Sequence, residues 1–412
     1  MSPPNRPWSP WRVVLGFGFV SLAADMVYEG ARSMYGPALL ALGASAAVVG
    51  LVTGVGEAVA LVLRLVAGPV ADRRGGHWSF TIAGYAMTAV CVPLLAVAPA
   101  FGAAGLAVGA LLIWSERAGK AIRSPSKSAL LAHASQAVGR GKGFGVHKAL
   151  DQTGAVLGPL LVAATVTGTA SLWPGFAVLA LPGMVAMALL LWIRHEVPDL
   201  TVYDPPGEPT TTPAPISSWW REALGSQLPP VFFMYAFAAA LTTGGLVTFA
   251  VISVHLTRTL NVPVGLVPVI YAGAMGVEAV AAVVTGWVFD RRGASVLLVV
   301  PVLVALVPLL AFTGALPVAL VGVAVWAAAY GIQDSTIKAL VADVVPSDRL
   351  AGGYGVFAAI QGVFAIAGGF AAGYLLDRSV SVLVAVVGAA QVLAFFLLLR
   401  ALRGAARPQG PT

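Results

Sequence analysis

Charge is scarce in this chain: 10% of its 412 residues are charged and 58% are hydrophobic. A soluble domain runs near a quarter charged and under half apolar. The sequence therefore lacks the polar skin of a soluble protein, and much of its surface must face lipid. Cysteine is nearly absent. The single Cys91 excludes an intramolecular disulfide, and one Cys with five His leaves no zinc or haem spacing. Cys91 sits in an apolar run and reads as a small lipid-facing or packing residue. No P-loop is present, so ATP hydrolysis is not the expected energy source. The first apolar run is too long for a removable signal peptide and lacks a small-residue cleavage site, so it is expected to stay as a helix. The net charge of +7 would point to nucleic acid in a soluble protein; here the position of the charges matters more, and no nucleic-acid partner is expected.

What the chain has in abundance is apolar runs of spanning length, which is roughly 20 residues. They fall near 12–37, 45–70, 78–98, 102–121, 143–166, 171–194, 230–257, 264–289, 294–313, 316–343, 350–376 and 379–402. That predicts an all-α membrane protein of about twelve spans. With a cytoplasmic N-terminus, Arg73, Arg74, Arg117, Lys120, Arg123, Lys127, Arg140, Lys142, Arg194, Arg291, Arg292, Arg349, Arg400, Arg403 and Arg407 fall inside or at the inner rim, and only Arg258 and Arg378 fall outside. The positive-inside pattern thus predicts a multi-pass plasma (inner) membrane protein with both termini cytoplasmic.

From His195 to Pro230 the composition changes. Asp199, Asp204, Glu208, repeated prolines and a threonine run at 210–212 read as a solvated linker, with Trp219 and Trp220 as interfacial anchors near its end. The linker (195–229) divides the chain into domains 1–194 and 230–412, six spans each. The halves also repeat. Gly68-Pro-Val-Ala-Asp72-Arg73-Arg74-Gly75 recurs as Gly286-Trp-Val-Phe-Asp290-Arg291-Arg292-Gly293, an offset of 218 residues (68 to 286). Ser128-Ala-Leu-Leu-Ala132 matches Lys338-Ala-Leu-Val-Ala342, and Gly143-Phe-Gly-Val146 matches Gly353-Tyr-Gly-Val356; both pairs lie 210 apart (128 to 338, 143 to 353). Duplicated bundles with the substrate at the midplane are the layout of secondary transporters.

The element Gly68-x-x-x-Asp72-Arg73-x-Gly75 between the second and third spans resembles the signature loop of the major facilitator superfamily, and its second copy stands at the equivalent place in the other half. The resemblance implies two pseudosymmetric six-helix bundles. It departs at the loop's end, where Gly76 and His77 replace the usual basic residues. In the family this loop latches the halves in one state, which implies gating roles for Asp72, Arg73, Asp290 and Arg291. Arg117 joins them as part of a basic stretch expected to close the cytoplasmic side. On the fifth span, Gly145, Gly154 and Gly158-Pro159 resemble the start of the antiporter motif of proton-driven drug exporters, though the paired glycines at its end are missing. Close helix packing by small residues is the other reading of these glycines.

Ionisable residues inside spans are the sharpest pointers, because a charge at mid-bilayer costs roughly 3 kcal/mol or more and is kept for a cavity or a partner. Asp25 and Glu29 stand one turn apart on one face of the first helix, and Arg32 lies within reach of Glu29. An acidic pair there suits a carboxyl that loads and unloads a proton; a fixed Glu29–Arg32 ion pair near the outer end is the plainer alternative. Tyr28 lies beside them. Glu57 and Glu278 sit midway along the second and eighth spans, at corresponding places in the halves, with Arg64 two turns from Glu57. The stretch Glu116 to Lys127 carries charges at helical spacing, followed by His147, Lys148 and Asp151, and an ion-pair network is expected there. Asp334, Lys338 and Gln361 stand at related positions of the second half. Asp151 is a further proton-carrier candidate. The patches Asp25-x-x-Tyr28-Glu29-Gly30-x-Arg32-Ser33 and Asp151-Gln152-x-Gly154-Ala155 are similar to bacterial transporters of unassigned substrate.

The expected function is secondary active transport by alternating access, with proton-coupled antiport (efflux) of a small organic solute favoured. Acid-rich surroundings lean towards cationic or neutral cargo. The alternatives are proton-coupled uptake of a nutrient or metabolite, divalent-metal export on carboxylates, and, in a different class, a non-transporting membrane sensor. The proton is the expected coupling ion, with no cofactor and no enzymatic constellation. The expected partners are a small-molecule substrate and the lipid bilayer, and a monomer is expected.

Overall fold

The computed structural model describes residues 8–204, 228–336, 345 and 350–405. Regular structure among these residues is helical throughout. The α-helices are α1 (Pro10–Arg32), α2 (Tyr35–Ala41), α3 (Ala46–Arg74), α4 (His77–Leu94), α5 (Gly105–Val138), α6 (Arg140–Thr169), α7 (Trp173–Ala177), α8 (Ala180–Glu196), α9 (Pro230–Gly245), α10 (Phe249–Arg258), α11 (Val267–Arg292), α12 (Val299–Ala311), α13 (Leu316–Thr336), α14 (Leu350–Arg378) and α15 (Val380–Ala405). In hydrocarbon a backbone can satisfy its N–H and C=O groups only internally, so long apolar runs resolve as helices. Ser9 opens α1 by accepting from the Arg12 amide, with Pro10 in the first turn.

Among the described residues, ten stretches are long and apolar enough to cross a membrane. Two of them, His77–Val138 with 62 residues and Val264–Ala311 with 48, far exceed the roughly 20 residues of one crossing. Each holds a 3-10 break, at Leu95–Ala104 and Gly293–Leu298. Gly102 and Gly293, with φ of 53° and 64°, make the corners. Counting each as two crossings gives the twelve expected from the sequence. Large apolar side chains such as Val283, 75% exposed, face outward, as lipid contact requires.

Four features differ from the sequence expectation. The stretch 122–138 continues α5, a helix of 34 residues that extends about 51 Å, where a loop was expected. Its charged residues do not face water; they pair with α1, so the backbone has no reason to leave the helix. The first span is broken at Ser33–Met34 and the seventh at Leu246–Thr248. These breaks fall at corresponding places in the two halves. The carbonyl of Val247, freed by the second break, accepts from Trp326 Nε1 at 2.7 Å. Finally, the expected linker is docked over its first residues. Val197 and Leu200 are buried, Trp78 Nε1 donates to the Pro198 carbonyl at 2.9 Å, and His133 Nδ1 meets Asp204 Oδ1 at 2.7 Å. Hydrogen bonds from Thr201, side chain first and then backbone, hold the Asp199 carboxyl below the usual range. Glu208, the threonine run, Trp219, Trp220, Lys338, Ala342, Arg349 and Arg407 lie outside the described residues.

The chain forms two compact units: Met1–Ser33 with Val66–Ala214, and Met34–Leu65 with Pro215–Thr412. In the first, α1 packs most extensively on α6 and also against α8, while α4 packs on α5. Its apolar core includes Trp8, Phe17, Tyr85, Leu131 and Leu190. In the second, α9 packs on α14 and α15, and α13 on α11 and α12. An aromatic cluster of Phe249, Tyr271, Trp326 and Tyr330 stands beside the α9–α10 break. Within this unit α3 meets α14 along a seam of glycines. A Cβ on Gly50 would overlap the Gly369 carbonyl, and one on Gly373 would overlap that of Ala46. At the end of the seam Asp377 accepts from the Ala46 amide at 3.1 Å and pairs with Arg258 at 3.4 Å.

Candidate functional site

Helices α1 and α5 run antiparallel, and their charges meet at one level. Asp25 lies fifteen residues from the start of α1 (10 to 25) and Arg123 fifteen from the end of α5 (123 to 138), about 22 Å along each. Arg123 Nη2 stands 3.6 Å from Asp25 Oδ1. One turn further, Lys120 Nζ lies 4.0 Å from Glu29 Oε1, and Arg32 Nη1 lies 3.6 Å from Glu29 Oε2. Arg117 Nε and Glu116 Oε2 are 3.8 Å apart. All four separations exceed the roughly 2.7–2.9 Å of a tight charge-assisted hydrogen bond. From α6, Asp151 stands beside Asp25, while Lys148 reaches Asp151 at 3.3 Å. Two carboxylates side by side repel each other, and a proton on one of them relieves the repulsion.

Tyr28 gathers the cations. Its ring lies 3.2 Å from Lys120 Nζ and 4.8 Å from the Arg117 guanidinium carbon, and its hydroxyl accepts from Arg117 Nη1. Below Asp25, Ser21 Oγ is a polar hub: it accepts from Lys127 Nζ at 3.1 Å, meets His147 Nε2 at 2.9 Å, and lies 3.3 Å from Tyr85 Oη. Arg123 stacks on Tyr85, its guanidinium carbon 4.4 Å from the ring centre. The close approach of α1 to α6 that this requires comes from glycine. A Cβ on Gly154 would overlap the Leu22 carbonyl, and one on Gly158 that of Met26. The glycines that resemble an antiporter motif are thus packing surfaces; Gly145 has open space beside it.

The repeat offsets carry this cluster onto the second unit. An offset of 210 takes Arg123 to Gln333 and Asp151 to Gln361, and 218 takes Asp25 to Thr243. Those three residues also meet. Gln333 Nε2 and Gln361 Nε2 both donate to Thr243 Oγ1, at 2.7 and 3.0 Å. A charged triad in one unit therefore has a neutral counterpart in the other. The sequence reading missed Thr243 and Gln333, because uncharged side chains raise no flag in an apolar helix; the offset was the signal that could have found them.

Of the expected site residues, Asp25, Tyr28, Glu29, Arg32, Arg117 and Asp151 come together in the first unit. Arg117, expected at the cytoplasmic gate, is instead 3% exposed in this cluster, because α5 carries it inside. Glu57 and Glu278, both half-buried, lie in the second unit. The Glu278 carbonyl packs against Gly331 of α13. Asp72 is exposed and pairs at 3.4 Å with His77, one of the two residues that depart from the family loop. Arg73 is half-buried. Asp290 is exposed, and Arg291 lies over the Trp287 ring at 3.6 Å. Asp377 and Arg258 form an ion pair that sequence reasoning did not find.

The chain is similar over its length to known proteins. It is 46% identical over 391 residues to the uncharacterized protein Rv2265 of Mycobacterium tuberculosis, covering 95% of this chain and 93% of that one. Among solved structures, a POT family transporter in complex with 5-aminolevulinic acid superposes with a TM-score of 0.75 at 12% identity, covering 98% and 99% of the two chains. The nucleoside transporter NupG superposes with a TM-score of 0.71 at 13% identity, covering 95% and 99%. These superpositions speak for the fold. The sequence profile of the Major Facilitator Superfamily matches residues 17–369, and the chain belongs to that family of membrane transporters.

Proposed function

We propose that this transporter is a proton-coupled secondary carrier of a small organic solute, with the Asp25–Asp151 pair as its proton site. The observation that carries the reading is the placing of these two carboxyl groups side by side, with Arg123 at 3.6 Å from Asp25. A proton shared by two acids beside a cation changes the ion pairing when it leaves. That change is a local event able to bias a two-state helix bundle. The antiport (efflux) expectation leaned on the glycines of α6. Their packing against α1 accounts for them without assigning a direction.

The test uses proteoliposomes of the full-length protein and a mixture of labelled amino acids, sugars, nucleosides and carboxylates under an imposed pH gradient. Wild type is expected to concentrate at least one solute. The sign of the effective gradient separates symport from antiport. Asp25→Asn is expected to lose concentrative transport and keep gradient-independent exchange. Concentrative transport by Asp25→Asn at the wild-type level would refute the coupling role.

A further inference from the structure

The cations that face Asp25, Glu29 and Glu116 stand at long range from these acids. Formally, Asp25, Glu29 and Glu116 face Arg32, Arg117, Lys120 and Arg123, three against four, while Asp151 pairs with Lys148. That leaves one positive charge over. Lys127, on Ser21, adds a second. The four ion pairs span 3.6 to 4.0 Å, beyond tight hydrogen-bonding range. Arg123 is 4% exposed, and its Nη1 has no hydrogen-bond partner while Nη2 points at Asp25. A guanidinium is a fork suited to planar anions, and this one keeps an edge unused. Uncompensated buried charge is costly, and an anionic ligand would remove that cost.

We propose that the first unit binds an anionic group of the transported solute, a carboxylate, phosphonate or sulfonate, between Arg123 and Lys120. The inference rests on the proton-coupled reading above and gives it a substrate class. It reverses the expectation of cationic or neutral cargo. The groups facing the acid pair are Glu29 on α1, Lys120, Arg123 and Lys127 on α5, and His147 and Lys148 on α6; Tyr85 of α4 lies under Arg123. A proton arriving on the pair weakens the hold of Asp25 on Arg123, which then turns to the anion. Proton and anion therefore bind together, anion affinity rises as pH falls, and the two travel in the same direction.

The experiment measures the unfolding midpoint of the purified full-length protein with millimolar acetate, benzoate, methylphosphonate and benzenesulfonate. Methylammonium, benzyltrimethylammonium and neutral benzamide serve as matched controls, each at mildly acidic and mildly alkaline pH. At least one anion is expected to raise the midpoint by about 2–4 °C at acidic pH, and by less at alkaline pH. The shift should vanish in Arg123→Gln and in Lys120→Gln. The latter site, with a side chain 25% exposed, tolerates truncation if the former fails to fold. Arg194→Gln, at an exposed position near the end of α8, should keep the shift. Stabilisation by the cations instead, no stabilisation by any anion, or a shift that survives in the binding-site variants would each overturn the proposal. Gradient-driven transport of a cation without anion binding sinks this inference alone. Anion binding with gradient-independent flux sinks the coupling alone.

Discussion

At the residue scale, the polar chemistry of the first unit converges on atoms that have no water to fall back on. Ser21 is the clearest case. Its hydroxyl has one proton and two lone pairs, and three groups reach it: Lys127, His147 and Tyr85. Lysine only donates, so Ser21 must accept from Lys127, and the remaining capacity is shared between the ring nitrogen and the phenol. Removing this hydroxyl orphans a buried imidazole and an ammonium. Ser21→Ala is expected to cost about 1–3 kcal/mol, the usual penalty for buried unsatisfied groups, and Tyr85→Phe, which drops only the longest contact, about 0.5–1.5 kcal/mol. Thermal unfolding in detergent measures both, and equal midpoints for Ser21→Ala and wild type would contradict the hub.

At the element scale, glycine decides which helices touch. Gly154 and Gly158 of α6 sit on carbonyls of α1, so a side chain there must push the helices apart or distort them. Gly154→Val is expected to destabilise by about 1–3 kcal/mol or more, as overpacking does. Gly145→Ala, with open space around it, should be neutral or slightly stabilising through helix propensity. Size-exclusion profiles and melting curves of the pair check this, and equal behaviour of the two variants would remove the packing role. The sequence made the helices themselves legible, since each spanning run is long and apolar. It did not make α5 legible. Glu116, Lys120, Arg123 and Lys127 stand at helical spacing, but single-sequence hydropathy reads basic residues as an inner rim. Only the positions of Asp25 and Glu29 on another helix reveal that these cations lie inside.

At the scale of the whole molecule, one ancestral bundle pattern is used twice with different chemistry. The offsets that link the loop motifs also link Asp25, Arg123 and Asp151 to Thr243, Gln333 and Gln361. The duplication was legible from those offsets; the division into a charged and a neutral triad was not, because it depends on which side chains converge in space. The inside–outside arrangement has its own check. Because Cys91 is the single cysteine, a Cys91→Ser background is free of thiols. Cysteines placed at Gly76 and Gly293 should react with an impermeant maleimide only from the cytoplasmic side, and those at Gly43 and Asn261 only from outside. The reverse labelling would invert the topology. One feature of the second unit bears on motion. Gly50 and Gly54 on α3, and Gly369 and Gly373 on α14, each lie four residues apart. A slide of one helical turn, about 6 Å, would bring Gly50 to Gly373 and Gly54 to Gly369, glycine again on glycine. In the present register only Gly50 meets Gly369, with Gly54 on Ala365 and Gly373 on Ala46, so the shifted register would replace glycine–alanine contacts with a second glycine pair. What holds the present register is the pin at its end, Asp377, which grips both the Ala46 amide and Arg258.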